Sequence, residues 1–330
     1  MAQSNATLAS RSTCQRYTIL PRAVATRADS SLGFARTDRV VRTNPRGRMT
    51  VVPRAASIPD AHTLDHLTGI AHSVADCAAG ITTRYFRTRF EVDIKSDSSP
   101  VTIADKEAER AMREALAAAV PDHGVFGEEE GFAGPTTSDY LWVLDPIDGT
   151  KSFITGKPVF GTLISLLYKG TPVIGILDQP VQKERWVGVA GRHTTLNGSD
   201  IHSRACGDVS AAYLYATTPH MFEGKTEVAF NALRDEVRIP LYGCDCYAYG
   251  LLAAGHCDLV AEADLKPYDY MALVPIVKGA GGKITDWKGG ELQWSVEAAA
   301  TGIAPIGEVL AAGDARCHAK ALAILQANMG

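Results

Sequence analysis

Two aspartates, Asp145 and Asp148, stand three residues apart at the end of an apolar run, in Trp142-Val143-Leu144-Asp145-Pro146-Ile147-Asp148-Gly149-Thr150-Lys151. Carboxylates so spaced at a strand end can hold one hard cation between them, or two side by side. Gly149 permits close backbone approach. Thr150 is placed to open a helix whose free amides would point at a phosphate. Alone, an Asp-x-x-Asp pair also describes an ordinary aspartate-rich turn. Three other segments offer acids. Gly127-Glu128-Glu129-Glu130-Gly131 follows a short strand predicted over 124–126, and by itself would read as a solvated loop. Lys266-Pro267-Tyr268-Asp269-Tyr270 lies between a predicted strand and a predicted helix, where its acid would face a cleft at strand ends. Thr102-Ile103-Ala104-Asp105 sets a carboxylate on the first turn of a helix, a position that also suits a mere partner of the helix dipole.

The elements that must position these acids follow from hydrophobic spacing. Leu64, Leu67, Ile70, Ala71, Val74, Cys77, Ala78 and Ile81 recur at three- and four-residue steps and predict an amphipathic helix. A short strand at 90–94, a polar turn at 95–100 and a second helix from Ile103 to about Val120 come next. Strands are predicted over 141–144, 160–168, 173–178 and 185–190, with turns at Lys169-Gly170 and Asn197-Gly198. From 206 onward strand and helix alternate: 212–216, 226–237, 239–242, 246–254, 258–262, 270–280, 283–285, 309–312 and 315–326. Alternation of this kind favours a layered α/β architecture. Pro275 lies inside the helix expected after Asp269 and predicts a kink there.

Composition narrows the class. Of 330 residues, 46% are apolar and 21% charged, which supports a packed core and argues against a disordered or fibrous chain. No run approaches the roughly 18 apolar residues of a membrane-spanning helix. The net charge of −4 hides an asymmetry: residues 1–57 hold ten arginines, no lysine and two acids, a charge of +8, leaving −12 on the rest. The acidic body argues against nucleic-acid binding. The arginine- and hydroxyl-rich segment 1–57 reads as an organelle transit peptide, with cleavage near Arg54-Ala55-Ala56. Its composition fits chloroplast or mitochondrion, or a basic tail that binds something acidic. The division predicted is a leader over 1–57, an α+β part over 58–205 with most metal ligands, and an α/β part over 206–330. No cysteine spacing matches a zinc site or a Cys-x-x-Cys pair, so the six body cysteines are expected as thiols. His62 and His66 read as a solvated helix face.

Taken in order, Lys95 with Asp105, Gly-Glu-Glu at 127–129, Asp-Pro-Ile-Asp-Gly-Thr at 145–150, and Asp269 followed by Gly279-Ala280-Gly281-Gly282 resemble the inositol monophosphatase-like, magnesium-dependent phosphatases. The resemblance runs from about residue 60 to the C-terminus; a tyrosine, Tyr268, stands where the family commonly has tryptophan. It implies an α-β-α-β-α sandwich, a homodimer, and a small-molecule phosphate ester as substrate. It also implies Mg²⁺ held by Glu128, Asp145, the Ile147 carbonyl, Asp148 and Asp269. Asp105 with the Thr150 hydroxyl would orient the attacking water, aided by Glu128 as a catalytic ligand, without a phosphoenzyme. Asp148, Gly149 and Thr150 would border the phosphate.

Substrate choice rests on other residues. Asp245, in Gly243-Cys244-Asp245-Cys246-Tyr247-Ala248-Tyr249, and Glu262 correspond to positions that usually line the substrate pocket in this family. An extra carboxylate beside an anionic ester is unfavourable unless the substrate also carries a cation, as histidinol phosphate does. Asp245 could equally cap a helix starting there. The wording around 145–156, 243–249 and 265–270 resembles the plant-type histidinol-phosphate phosphatases of the family, which implies plastid histidine biosynthesis and a chloroplast location. Another small ester such as inositol monophosphate, or a catalytically silent metal- or phosphate-binding protein, are the competing readings.

Overall fold

The computed structural model describes residues 58–94 and 100–330; the leader at 1–57 and Lys95 lie outside the described residues. Two helices open the described chain, α1 (Ala61–Tyr85) and α2 (Ile103–Ala119), joined through a small hairpin of β1 (Val92–Ile94) and β2 (Pro100–Thr102). Then come β3 (Gly124–Gly127), β4 (Gly131–Ala133), β5 (Tyr140–Asp148), α3 (Thr150–Ile154), β6 (Gly161–Tyr168), β7 (Thr171–Gln179), β8 (Glu184–Val189), β9 (Thr195–Leu196) and β10 (Ser199–Asp200). The remainder is β11 (Tyr213–Ala216), α4 (Lys225–Glu236), β12 (Ile239–Tyr242), α5 (Tyr247–Ala253), β13 (Leu259–Glu262), α6 (Pro267–Tyr270), α7 (Leu273–Gly279), β14 (Lys283–Asp286), α8 (Val296–Ala300), β15 (Val309–Ala312) and α9 (Ala315–Asn328).

An eight-stranded sheet runs β10-β9-β8-β7-β6-β5-β3-β4, antiparallel except for the β3–β5 pair. A five-stranded sheet runs β12-β11-β13-β15-β14. Period-two alternation gives each strand of the large sheet two apolar faces. Trp142, Leu144, Ile164, Leu166, Ile174 and Ile176 pack against Leu64, Leu67, Ala71 and Val74 of α1 and Ala108, Met112 and Leu116 of α2. On the other face Leu141, Val143, Leu163, Leu167 and Leu177 meet α5 and α7, which also cover Val260, Ile284 and Ala311 of the small sheet. The far face of the small sheet, with Leu214, Leu259, Ala261 and Leu310, is covered by α4 and α9 through Phe230, Leu233, Cys317 and Leu325. The order is α-β-α-β-α, as the family resemblance implies, and it realises the layered α/β class that the alternation favours.

Local chemistry sets the helix starts. Asp60 accepts from the Thr63 amide at the head of α1 (2.8 Å), and Thr102 with Asp105 forms a capping box on α2. The single helix expected over 270–280 is two. α6 ends at Tyr270 and α7 begins at Leu273, with Pro275 in its first turn. A proline ring there crowds the carbonyl four residues back, at Met271, and offers it no N–H, so the hydrogen-bond ladder is interrupted while Met271 and Ala272 keep right-handed helical backbone, which is the expected kink.

Candidate active site

β5 does not stop at Asp145. It continues to Asp148 across a bulge, because Asp145 pairs with Leu163 and Asp148 with Gly161, three residues against two. Residues three apart on a regular strand point to opposite faces; one inserted residue returns Asp148 to the side of Asp145. The Asp145 Oδ1 accepts from the Ile147 amide at 3.0 Å, and the buried Thr162 hydroxyl donates to the Pro146 carbonyl at 2.8 Å, which hold the bulge in shape. Asp269, on α6, completes a triad: one carboxylate oxygen from each of Asp145, Asp148 and Asp269 lies within 4.8 Å of the others. Asp148 Oδ2 also accepts from the Cys246 amide at 2.7 Å, tying the head of α5 to the triad.

The triad opens into a cleft of about 200 Å³ that Glu128, Ile147, Gly149, Thr150, Lys151, Thr217 and Asp245 also line. Gly149 has φ +82, a left-handed conformation that favours glycine, and a Cβ there would lie 2.8 Å from Asp245 Oδ2. The Asp245 carboxylate therefore presses against the backbone where α3 starts, and it accepts from the Ser152 hydroxyl at 2.5 Å. The Thr150 hydroxyl donates to the Ile147 carbonyl at 3.1 Å. Asp105 is buried; its Oδ2 takes the Thr102 amide and hydroxyl (2.8 and 2.6 Å), while its Oδ1 has no hydrogen-bond partner among the described residues.

Among the described residues five carboxylates face one lysine in the cleft, a surplus of negative charge. Burial, then the Glu128 charge, pushes Asp145 well above the usual carboxylate range. Burial and then Asp245 raise Asp148 to about 8, and burial with Asp148 raises Asp269 strongly. Asp105 is pushed up to about 6, chiefly by burial. A donor set of carboxylate oxygens and a backbone carbonyl, free of sulfur and imidazole, fits a hard divalent cation such as Mg²⁺, and a cation is what would relieve the mutual repulsion.

Of the residues picked out in the sequence, Glu128, Asp145, Ile147, Asp148, Gly149, Thr150, Asp245 and Asp269 come together in this one cleft. Two expectations need correction. Glu262 does not face the cleft: it is 3% exposed, with one oxygen taking the Thr217 amide and hydroxyl (2.9 and 2.6 Å) and the other the Tyr249 hydroxyl (2.8 Å). It holds the Thr217 wall from behind. Asp245 is not a helix cap; α5 begins after Cys246, and Asp245 itself has a left-handed φ of +47. Cys244 and Cys246, on either side of it, are buried, and burial raises both thiols, Cys244 to about 12, so neither is a thiolate at neutral pH. Thr217, Ser152, Thr162 and Glu109 escaped notice in the sequence. Only Glu109 carried a signal there, as an acid four residues after Asp105 on the apolar side of α2.

The five-layer sandwich carries its acidic cleft at the end of β5. The chain belongs to the inositol monophosphatase family, whose model matches residues 63–327, and it is thus a phosphoric monoester hydrolase by family. It is 53% identical over 264 residues to the bifunctional phosphatase IMPL2, chloroplastic, of Arabidopsis thaliana, covering 80% of this chain and 76% of the relative. It is 35% identical to the histidinol-phosphatase of Mycobacterium tuberculosis, covering 67% of this chain and 87% of that protein. Among solved structures, an inositol monophosphatase from Zymomonas mobilis superimposes with a TM-score of 0.71 at 46% identity, over 81% of this chain and all of that one.

Proposed function

We propose that the protein is a Mg²⁺-dependent phosphatase that hydrolyses L-histidinol phosphate to L-histidinol and phosphate. The observation that carries the substrate reading is Asp245. It is a fifth carboxylate in the cleft, outside the three-aspartate cluster and packed against the segment that would hold the phosphate. A sugar phosphate offers such a group hydroxyl donors but no opposite charge, whereas the ammonium of histidinol phosphate supplies a charge-assisted partner. The relatives named histidinol-phosphatase and the chloroplastic phosphatase support the same reading, the latter also the chloroplast assignment for a leader at 1–57.

Glu128, Asp145, Asp148, Asp269 and the Ile147 carbonyl would hold Mg²⁺, which when bound neutralises phosphoryl charge and acidifies water. Asp105 would accept from the attacking water through Oδ1, which has no partner among the described residues. Thr150, whose proton is committed to the Ile147 carbonyl, keeps lone pairs to orient the same water. Backbone amides of Gly149 and Thr150 donate to the phosphate oxygens as charge builds. The second reading, inositol monophosphate as substrate, is favoured by the likeness to the Zymomonas enzyme. Retention of every ligand position argues against a silent binder. The homodimer that the family implies belongs to the same proposal.

Phosphate release from histidinol phosphate and inositol 1-phosphate, compared with Mg²⁺ present, tests it. Asp245→Asn is expected to lower kcat/KM for histidinol phosphate roughly 10- to 100-fold, the worth of a hydrogen bond to a charged group, and to change the inositol ester little. Equal losses on both, or a wild-type preference for inositol 1-phosphate, would overturn the substrate reading while leaving the metal site standing.

A further inference from the structure

Helix α2 carries Asp105, Glu109 and Arg113 at four-residue steps, one above another along a single face. Glu109 is fully buried, yet it does not line the cleft. Its Oε2 accepts from the Glu129 amide at 2.8 Å, and its Oε1 from the Glu130 amide at 2.9 Å and from Arg113 Nε at 2.8 Å. Arg113 in turn donates to the Gly131 carbonyl at 2.5 Å. On the other side of Glu128, a Cβ on Gly127 would lie 2.2 Å from Glu109 Oε1, so the carboxylate rests on the Gly127 backbone. The Glu128 amide itself donates to the Leu144 carbonyl, one residue before Asp145. A buried anion beside three successive glutamates is unfavourable unless something needs it. Here Arg113 balances the charge, and two consecutive amides grip the anion as a backbone nest would.

We propose that Glu109, backed by Arg113, is a positioning residue. It clamps the β3–β4 turn so that the Glu128 carboxylate is held in the cleft with the Asp145–Asp148–Asp269 cluster, and it thereby sets the affinity of the site for its divalent cation. The inference rests on the reading of Glu128 as a metal ligand. Glutamine at 109 keeps the shape but presents an NH₂ to one of the two amides, leaving that amide unpaired and the turn free to shift. Outer partners of this kind are typically worth about 10- to 100-fold in metal affinity.

The test is Mg²⁺ titration by calorimetry on the folded wild type, Glu109→Gln, Glu128→Gln and the double variant, with circular dichroism to establish folding. The single changes are expected to weaken Mg²⁺ about 10-fold or more, and the double variant to be no weaker than Glu128→Gln alone, because the clamp acts through Glu128. Gly127→Ala displaces the same carboxylate from the opposite side, at a backbone conformation alanine tolerates, and is expected to weaken Mg²⁺ likewise; it carries the test should Glu109→Gln fail to fold. Wild-type affinity in Glu109→Gln and Gly127→Ala while Glu128→Gln is weakened, or an additive double variant, refutes the clamp. Wild-type affinity in Glu128→Gln refutes the ligand reading, and the clamp falls with it.

Discussion

The acid cluster makes an unusual demand on stability, and its sign can be worked out. Asp148 is raised to about 8 in the folded protein, mainly by burial, whereas in the unfolded chain it titrates near 3.8. Between those values the folded state holds a proton that the unfolded state has released, so stability falls as pH rises towards and through 8. The contribution of one such group between pH 7 and 8.5 integrates to about 1.3 kcal/mol, or roughly 3 °C in Tm for a domain of this size. Asp145 and Asp269 are raised in the same direction and add to the loss. The buried His318 and the half-buried His72 and His123 are shifted down by desolvation, so their opposing effect is confined below pH 7. Mg²⁺ would bind the ionised carboxylates and reverse the trend, so stabilisation by the cation should grow with pH. The assay is thermal unfolding at pH 7.0 and 8.5 in EDTA and in saturating Mg²⁺. A metal-free Tm that is flat or rises over this range, or a Mg²⁺ increment equal at both ends, would refute the electrostatic account of the cleft.

Asp148→Asn is expected to abolish turnover at saturating Mg²⁺ while leaving the circular dichroism spectrum of the wild type; measurable turnover would remove Asp148 from the metal site. Turnover should fall on the acid side, where Asp105 takes up a proton and ceases to accept from water: burial sets this at about 6 in the metal-free cleft and bound Mg²⁺ moves it lower, so a pH–rate profile with no acid limb would contradict that role. Glu262→Ala should lower stability by about 1–3 kcal/mol, because the Thr217 amide and the Tyr249 hydroxyl lose their buried acceptor. Denaturant unfolding measures this. Glu262→Gln should leave the ratio of histidinol phosphate to inositol phosphate turnover unchanged, and a changed ratio would return Glu262 to the substrate pocket.

What could be read before the structure, and what could not, divides along the range of the interactions. The layered α/β class followed from spacing within single elements, and most strand and helix bounds lie within a residue or two of the expected ones. The acids that meet in the cleft were readable because their order along the chain is itself the motif. That Asp145 and Asp148 meet through a bulge within one continuous strand shows only in the register of β5 on β6, where Asp145 pairs with Leu163 and Asp148 with Gly161. No local pattern in 142–150 encodes that partner. Glu262 failed for a related reason. All four residues of β13 are buried, so the strand lacks the alternation that would tell a cleft-facing carboxylate from one turned inward. Its partners, Thr217 and Tyr249, come from separate segments that the sequence gives no reason to join. Glu109 shows the same limit from the opposite side. Its spacing from Asp105 places it on the buried face of α2, where an acid contradicts the amphipathic pattern. Such a contradiction marks a residue with a task, but the task, holding the amides on the far side of Glu128, becomes visible only once the β3–β4 turn is folded against the helix. The chemistry of this cleft is therefore written locally in the identity of its acids and non-locally in their aim. Substitutions that alter aim alone, at Glu109 or Gly127, should separate metal affinity from ligand identity.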